Sequence, residues 1–288
     1  MAINYFVNPD FVLQNKQNDI FLETNHFSAK VKHKGLLAFL TTLQQQHVTQ
    51  LSEDEFYKLA QDSNIRYQVL ENFLVSQAGI LKVELGQNNF DSVVIIGEGE
   101  VEQLLSSAIE ETRLVKAVRA FEGQDIPQEN AILVSFSNSL QSKRIKQIYD
   151  ASSDDKNYII TSYLLGKHLV IDNPHCAHFG LPCHFCHIER LKQNSGLVPT
   201  ANKKSWLSYF HHMLKQEDEG LFEPSLPKIY NQYISYCLFQ FVRRFIDPFY
   251  EAMHYDEYNQ FWHVQLDKMT ITKEDANFWP FCSCQQGG

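Results

Sequence analysis

No stretch of this chain reaches the eighteen or so uninterrupted apolar residues of a membrane span, which excludes a conventional transmembrane helix. Its start, Met1-Ala-Ile-Asn-Tyr-Phe-Val7, has no basic segment ahead of a long apolar one, so no signal peptide is visible and the cytoplasm is the expected location. Basic residues are scarce. Lys and Arg number 25 against 34 Asp and Glu, and the net charge of −9 argues against a general affinity for nucleic acid or for an anionic membrane. Low-complexity segments and repeats of fixed period are absent. So are the strings of common hydrolases and nucleotide-binding enzymes: there is no G-x-S-x-G, no H-E-x-x-H and no Walker A loop.

What is present suits a folded protein of one large or two ordinary domains. Of 288 residues, 44% are hydrophobic and 13% aromatic, enough for real cores. Residues 1–88 read as a unit of their own. Short strands are expected over Asn4–Val7, Phe11–Asn15 and Asp19–Asn25, broken by Asn8-Pro9-Asp10 and Gln17-Asn18 turns. Three helices follow. The first, over 34–46, carries Leu36, Leu37, Leu40 and Leu43 on one face. The second opens on Ser52-Glu-Asp-Glu55, a capping box, and turns Phe56, Leu59 and Ala60 inward. The third, over 66–77, places Val69, Leu70, Phe73 and Leu74 together before Gly79 ends it, and Ile80–Val83 returns as a wing. Strands, three short helices and a wing make the pattern of a winged helix-turn-helix.

Residues 89–288 read as α/β, giving α+β overall. Ser92–Ile96, Ala131–Phe136, Tyr158–Ser162 and His168–Ile171 look like strands, with helices over 101–115 and 140–149 between them. This alternation favours a mostly parallel sheet. Downstream, 204–215 and 226–245 read as helices, the latter with a broad apolar face, and 261–272 as a hairpin.

Four of the six cysteines form two pincers, Cys183-His-Phe-Cys186 and Cys282-Ser-Cys284. In a reducing compartment, clustered thiols read as metal ligands sooner than as disulfides. Four thiolates in two pairs satisfy a closed, tetrahedral structural Zn²⁺ site, which would staple the tail to the middle of the chain. Two rivals use only the first pincer: Cys183-His-Phe-Cys186-His187 is also a c-type haem string, and C-x-x-C can be a redox pair. Zinc alone uses all four sulfurs. Cys176 and Cys237 read as core residues, His184 and His187 as neighbours of the ligands, His211-His212 as helix surface, and Arg243-Arg244 as partners of a helix C-terminal dipole.

Gly97-Glu-Gly99 lies between a strand and a helix like a dinucleotide loop, but Glu98, Glu100 and Glu102 crowd carboxylates where a phosphate would sit. The expected architecture is that of a nucleotide-binding protein whose site has been lost. The third helix of the first unit has one basic residue, Arg66, and one acid, too little for a DNA-recognition helix. A peptide adding as a strand beside 19–25, with side chains against that helix, fits better.

The run Gly180-Leu-Pro-Cys-His-Phe-Cys-His-Ile-Glu-Arg-Leu191, with Lys204-Ser-Trp206-Leu and Cys282-Ser-Cys284, closely resembles the B-subunit family of microcin-type azole-peptide synthetases. The resemblance implies a leader-recognition element of winged-helix form followed by a ThiF-like fold of the ubiquitin-activating type. It implies a zinc-containing scaffold, not catalytic alone, in a complex that converts Ser and Cys of a ribosomal precursor peptide into oxazoles and thiazoles. The implied partners are the precursor leader, a YcaO-type ATP-dependent subunit and a flavin-dependent (FMN) dehydrogenase, with a second copy of this chain. ATP and FMN would sit on those partners, and Zn²⁺ on Cys183, Cys186, Cys282 and Cys284. For the leader groove, Ile20, Phe21, Leu22, Tyr67, Leu70 and Leu74 are the expected positions. Two other readings are a free-standing ThiF-like adenylating enzyme and a zinc-containing winged-helix DNA-binding regulator.

Overall fold

The computed structural model describes residues 4–8, 10–16, 19–24, 27–83, 90–97, 99–120, 130–140, 142–152, 157–176, 180–197, 226–250, 255–282 and 284. The expected helix over 204–215, with Trp206, His211 and His212, lies outside these residues. Two compact units emerge: Met1–Asn88 with Thr112–Leu114 and Asp247–Glu251, and Asn89–Glu111 with Val115–Ile246 and Ala252–Gly288.

In the first unit, β1 (Asn4–Val7) is the middle strand between β5 (Gln50–Ser52) and β6 (Leu81–Val83), antiparallel to both. A meander of β2 (Val12–Lys16), β3 (Asp19–Glu23) and β4 (Ser28–Lys30) forms a second small sheet. Helices α1 (Lys34–Gln45), α2 (Glu53–Asp62) and α3 (Tyr67–Asn72) follow. The capping box of α2 is formed: Glu55 N–H donates to Ser52 Oγ at 3.3 Å and Ser52 N–H to Glu55 Oε2 at 2.8 Å. Caps of this kind contribute about 0.5–2 kcal/mol. The core gathers Tyr5, Phe39, Phe56, Leu70, Leu74 and Ile80, with Phe56 edge-on to Tyr5 at 5.0 Å.

Two expectations for these helices change. On α1, Phe39 joins Leu40 and Leu43 in the core while Leu37 stays partly exposed. The third helix is not α-helical throughout. After Asn72 it widens into a π-turn, Phe73–Gln77, closed by Ala78 N–H donating to Phe73 O at 2.8 Å. The wider turn breaks the 3.6-residue spacing, so Ala78 reaches the core; Val69, in the regular helix ahead of it, is 61% exposed. Gly79, at φ +62°, makes the left-handed step into β6.

The second unit is built on a seven-stranded sheet in the order β13-β12-β11-β10-β9-β7-β8. Its strands are β7 (Ser92–Ile96), β8 (Lys116–Ala120), β9 (Ala131–Ser137), β10 (Tyr158–Leu165), β11 (His168–Ile171), β12 (Gln260–Gln265) and β13 (Thr270–Asp275). Only β8-β7-β9-β10 are parallel; β10 through β13 are antiparallel, which corrects the mostly parallel sheet expected. The connections explain the change. Helices α4 (Glu100–Thr112) and α5 (Ser142–Ala151) provide crossovers, whereas a two-residue turn at Gly166, φ +63°, joins β10 to β11 as a hairpin.

Side chains alternate across this sheet. Val93, Ile95, Val134, Ile160 and Leu169 face α4 and α7 (Lys228–Ile246), while Val94, Ile96 and Leu133 face Ile148 of α5. On that second face, farther along, Tyr163, Val170 and Phe261 pack with Ile188 and Leu191 of α6 (His184–Leu197). The broad apolar face of α7 buries Ile234, Leu238, Phe241 and Val242, but Ile229 in its first turn is 55% exposed. Arg244 does more than complement a dipole: it is buried with its guanidinium over Phe241, Phe245 and Trp262 and donates to Glu257 O at 3.1 Å. A one-turn helix, α8 (Tyr255–Tyr258), precedes β12.

Candidate functional site

Cys183 lies just before α6 and Cys186 in its first turn, while Cys282 and Cys284 lie in the tail beyond β13. The fold brings all four sulfurs within 4.8 Å of one another, the two helix cysteines buried and the two tail cysteines half-buried. Cys183 Sγ is 3.8 Å from Cys186 Sγ and 3.5 Å from Cys282 Sγ; Cys186 Sγ is 3.4 Å from Cys284 Sγ. A disulfide would need about 2.05 Å. Four sulfurs held about 2.3 Å from one tetrahedral Zn²⁺ lie about 3.8 Å apart, so the quartet has the spacing of a closed metal site. The thiols share protons unequally: hydrogen bonding to Cys186 pushes Cys183 up, and hydrogen bonds from Cys183 and then Cys284 pull Cys186 down. Arg190 fixes the approach of the tail, donating Nε at 3.1 Å and Nη2 at 2.9 Å to Phe278 O. Cys176 and Cys237 are fully buried core residues away from the quartet.

His184 and His187 turn away from the sulfurs. Both imidazoles meet the fully buried Asp172, His184 Nδ1 at 2.5 Å from Oδ2 and His187 Nδ1 on Oδ1. Burial alone would raise the carboxyl of Asp172, but the two rings hold it below the usual carboxylate range. Nothing in the spacing of the pincers pointed to Asp172, a lone acid after a strand.

The glycine loop after β7 is filled from within. Glu102, in the first turn of α4, folds its carboxylate back over Gly97 and Gly99. A Cβ on Gly97 would stand 2.5 Å from Glu102 Oε1, and one on Gly99 2.6 Å from Oε2. Gly97, at φ +139°, also needs the conformational freedom of glycine. Burial raises the Glu102 carboxyl, against the backbone N–H groups of Glu102 and Gly99 that it accepts. The protein's own carboxylate thus occupies the turn and takes its backbone donors. Glu98 lies outside the described residues.

The six expected groove residues divide. Leu22, Leu70 and Leu74 are buried in the first unit's core, at 0–2% exposure, and offer no surface in this conformation. Ile20, Phe21 and Tyr67 are half-buried. Tyr67 Oη lies 2.6 Å from Tyr5 Oη, which also donates to Glu71 Oε1 at 2.6 Å. β3 cannot accept a further strand, because β2 and β4 occupy both its edges. Among the described residues, β4 is an outer strand of this sheet. Thr24 N–H donates to Phe27 O and Val31 N–H to Ile20 O, so by antiparallel alternation Ala29 bonds inward to β3 and Ser28 and Lys30 direct their N–H and C=O outward. Phe27, entering β4, packs edge-on against Phe73 of the π-turn at 5.7 Å, which sets the end of the third helix beside this edge.

These features define a mixed α/β protein with a four-thiolate metal-type site. Its family follows from comparison with known proteins: residues 5–286 match the family model described as Microcin B17-processing protein McbB, and the chain belongs to that family. It is 23% identical to the Microcin B17-processing protein McbB of Escherichia coli over 280 residues, covering 95% of this chain and 93% of that protein. Among solved structures, a chain of the E. coli microcin synthetase McbBCD complex with pro-MccB17 bound superposes with a TM-score of 0.79 at 22% identity, covering 98% of this chain and 99% of that one. A chain of the McbBCD complex gives 0.54 at 21% identity, with 98% and 100% covered. The heterocyclase TruD gives 0.52 at 11% identity, over 97% of this chain and 42% of that one. No helix among the described residues is long and apolar enough to cross a membrane.

Proposed function

We propose that this chain is the leader-binding, zinc-stapled scaffold subunit of a cytoplasmic synthetase that makes oxazoles and thiazoles in a bacteriocin precursor peptide. The observation that carries this reading is the family match over residues 5–286, which joins the peptide-facing first unit and the thiolate quartet in one chain. A related chain was solved in a synthetase complex with pro-MccB17 bound, which supports a peptide as the ligand here.

Residues 1–88 act as a winged helix-turn-helix that captures the leader. The peptide adds as a strand on the outer edge of β4, bonding to Ser28 and Lys30, and seats apolar side chains against Phe27, Phe73 and the half-buried Tyr67. This moves the groove from β3 to β4, with Ile20 and Phe21 one strand inward. Residues 89–288 act as a ThiF-like domain whose nucleotide loop holds Glu102 in place of a phosphate, so ATP-dependent cyclodehydration falls to a YcaO-type partner and azoline oxidation to an FMN-dependent one. A second copy of the chain completes the assembly. Zn²⁺ on Cys183, Cys186, Cys282 and Cys284 closes its coordination shell with protein and leaves no position for substrate. Its part is to hold the tail on α6.

Fluorescence anisotropy tests the reading. A labelled leader segment of the precursor encoded with this chain should bind saturably and a scrambled peptide should not. Absence of binding both by the chain alone and with its partner subunits refutes it.

A further inference from the structure

A polar bracket just past β11 holds the segment that carries Cys183 and Cys186. Asp172, Asn173 and His175 follow β11, and each places its side chain on the segment that delivers the first pincer. Asp172 takes the Nδ1 atoms of His184 and His187 on its two oxygens. Asn173 Nδ2 donates to Pro182 O at 2.9 Å. His175 Nδ1 donates to Leu181 O at 2.8 Å. The bracket is itself pinned to the sheet, because Asp172 N–H donates to Thr161 O and His175 exchanges two backbone bonds with Ile159, all at 2.8 Å. At the other end, Tyr149 Oη accepts His184 N–H at 3.1 Å. Every residue from 181 to 184 that flanks Cys183 is thereby tied by a side-chain or backbone bond, and His187 closes the turn around Cys186.

We propose that Asp172 is the positioning residue of the metal centre: it sets the first turn of α6 so that Cys183 and Cys186 stand in ligand geometry before the ion arrives. An ionised carboxylate only accepts, so both imidazoles donate through Nδ1–H; their Nε2 atoms are buried without a hydrogen-bond partner among the described residues, and neither histidine belongs to the cluster formed by the four sulfurs. The histidines of the C-H-F-C-H string therefore act as struts. Because Asp172, His184 and His187 are each at most 3% exposed, rotating either ring would leave buried polar atoms unpaired, which keeps the turn in one conformation. Groups that orient metal ligands from behind typically change metal affinity by about 10–100-fold when removed.

This inference rests on the quartet being a metal site, and the two fail differently. The full-length protein is loaded with one equivalent of Zn²⁺, and its release to an excess of a chromogenic chelator is timed at 25 °C, well below unfolding. Asp172→Asn, which keeps the volume but leaves only one acceptor oxygen for two N–H groups, should release zinc about 10–100-fold faster. Its Co²⁺-substituted form should show an altered d–d spectrum. Asn173→Ala, which loses the two bonds to the Pro182 and Pro174 carbonyls, should release several-fold faster and stands in should Asp172→Asn not fold. Ile109→Val, a core change far from the bracket in sequence, serves as a control matched in melting temperature and should release at the wild-type rate. Wild-type release from the variants, or equally fast release from the control, overturns the positioning role. A wild-type protein that takes up no stoichiometric zinc overturns the metal site itself.

Discussion

Replacing Cys284 by Ser removes one corner of the quartet while leaving Cys183, Cys186 and Cys282 in place. Cys186 and Cys282 are 96 positions apart, and a cross-link closing a loop of that length takes about 4.7 kcal/mol of conformational entropy from the unfolded chain. In a unit of about 200 residues, 1 kcal/mol moves the melting temperature by roughly 2–4 °C, so complete loss of the staple corresponds to roughly 10–19 °C. The tail does not float free when the metal goes, because Arg190 still makes its two bonds to Phe278 O. The low end of the range, about 10 °C, is therefore expected. Metal analysis after dialysis should give one zinc per wild-type chain and much less than one for Cys284→Ser. In scanning calorimetry, a strong chelator should bring the wild-type transition down to that of the variant and leave the variant unmoved. A Cys284→Ser protein that keeps both its metal and its melting temperature refutes the staple.

The β4 edge makes a backbone prediction: Lys30→Pro removes an outward N–H and should weaken leader binding at least about tenfold in anisotropy titrations, while Lys30→Ala stays within about twofold. Equal effects would place the peptide elsewhere. Glu102 filling its glycine loop predicts no saturable heat when the isolated chain is titrated with Mg-ATP. It also predicts that Gly97→Ala destabilises by about 1–3 kcal/mol, since the residue sits at φ +139° against a carboxylate; an unchanged denaturation midpoint counts against that packing. His263 Nε2 lies 2.9 Å from His168 Nδ1, and burial, then His168, depresses its pKa to about 4, with Asp267 and Lys268 also acting on the pair through His168. The unfolded chain then binds more protons between pH 6.5 and 4, so stability should fall on acidification by up to about 1.4 kcal/mol per pH unit from this group. His263→Gln should flatten that share of the slope; superimposable pH profiles would remove His263 from it.

What could be read from the sequence was what is local. Each pincer is a short string, and its chemistry depends on residue type and spacing, so the four cysteines that the fold clusters could be named without knowing how the chain returns at Cys282. The capping box on Ser52 and the left-handed turn at Gly79 are equally local, and the structure forms both. Features that depend on who pairs with whom were less visible. Ser28-Ala-Lys30 has no hydrophobic alternation, so nothing in the sequence marks β4 or shows that it covers the edge of β3. Leu22, Leu70 and Leu74, groove positions implied by the resemblance, are apolar, and that property sends them into the core. The π-turn brings Ala78 into the core, a shift that period counting does not reveal. Asp172 illustrates the hardest case: a single carboxylate between apolar strand and loop carries no pattern until the fold sets two imidazoles against it.

The central claim, that this chain captures a precursor leader for an azole-forming complex, is met most directly by titrating a labelled leader of the precursor encoded with this chain into the full-length, zinc-loaded protein. Saturable binding that survives salt, is lost on scrambling the peptide and is weakened by Lys30→Pro is the predicted result. A flat anisotropy trace both for the chain alone and in the presence of its partner subunits would contradict it.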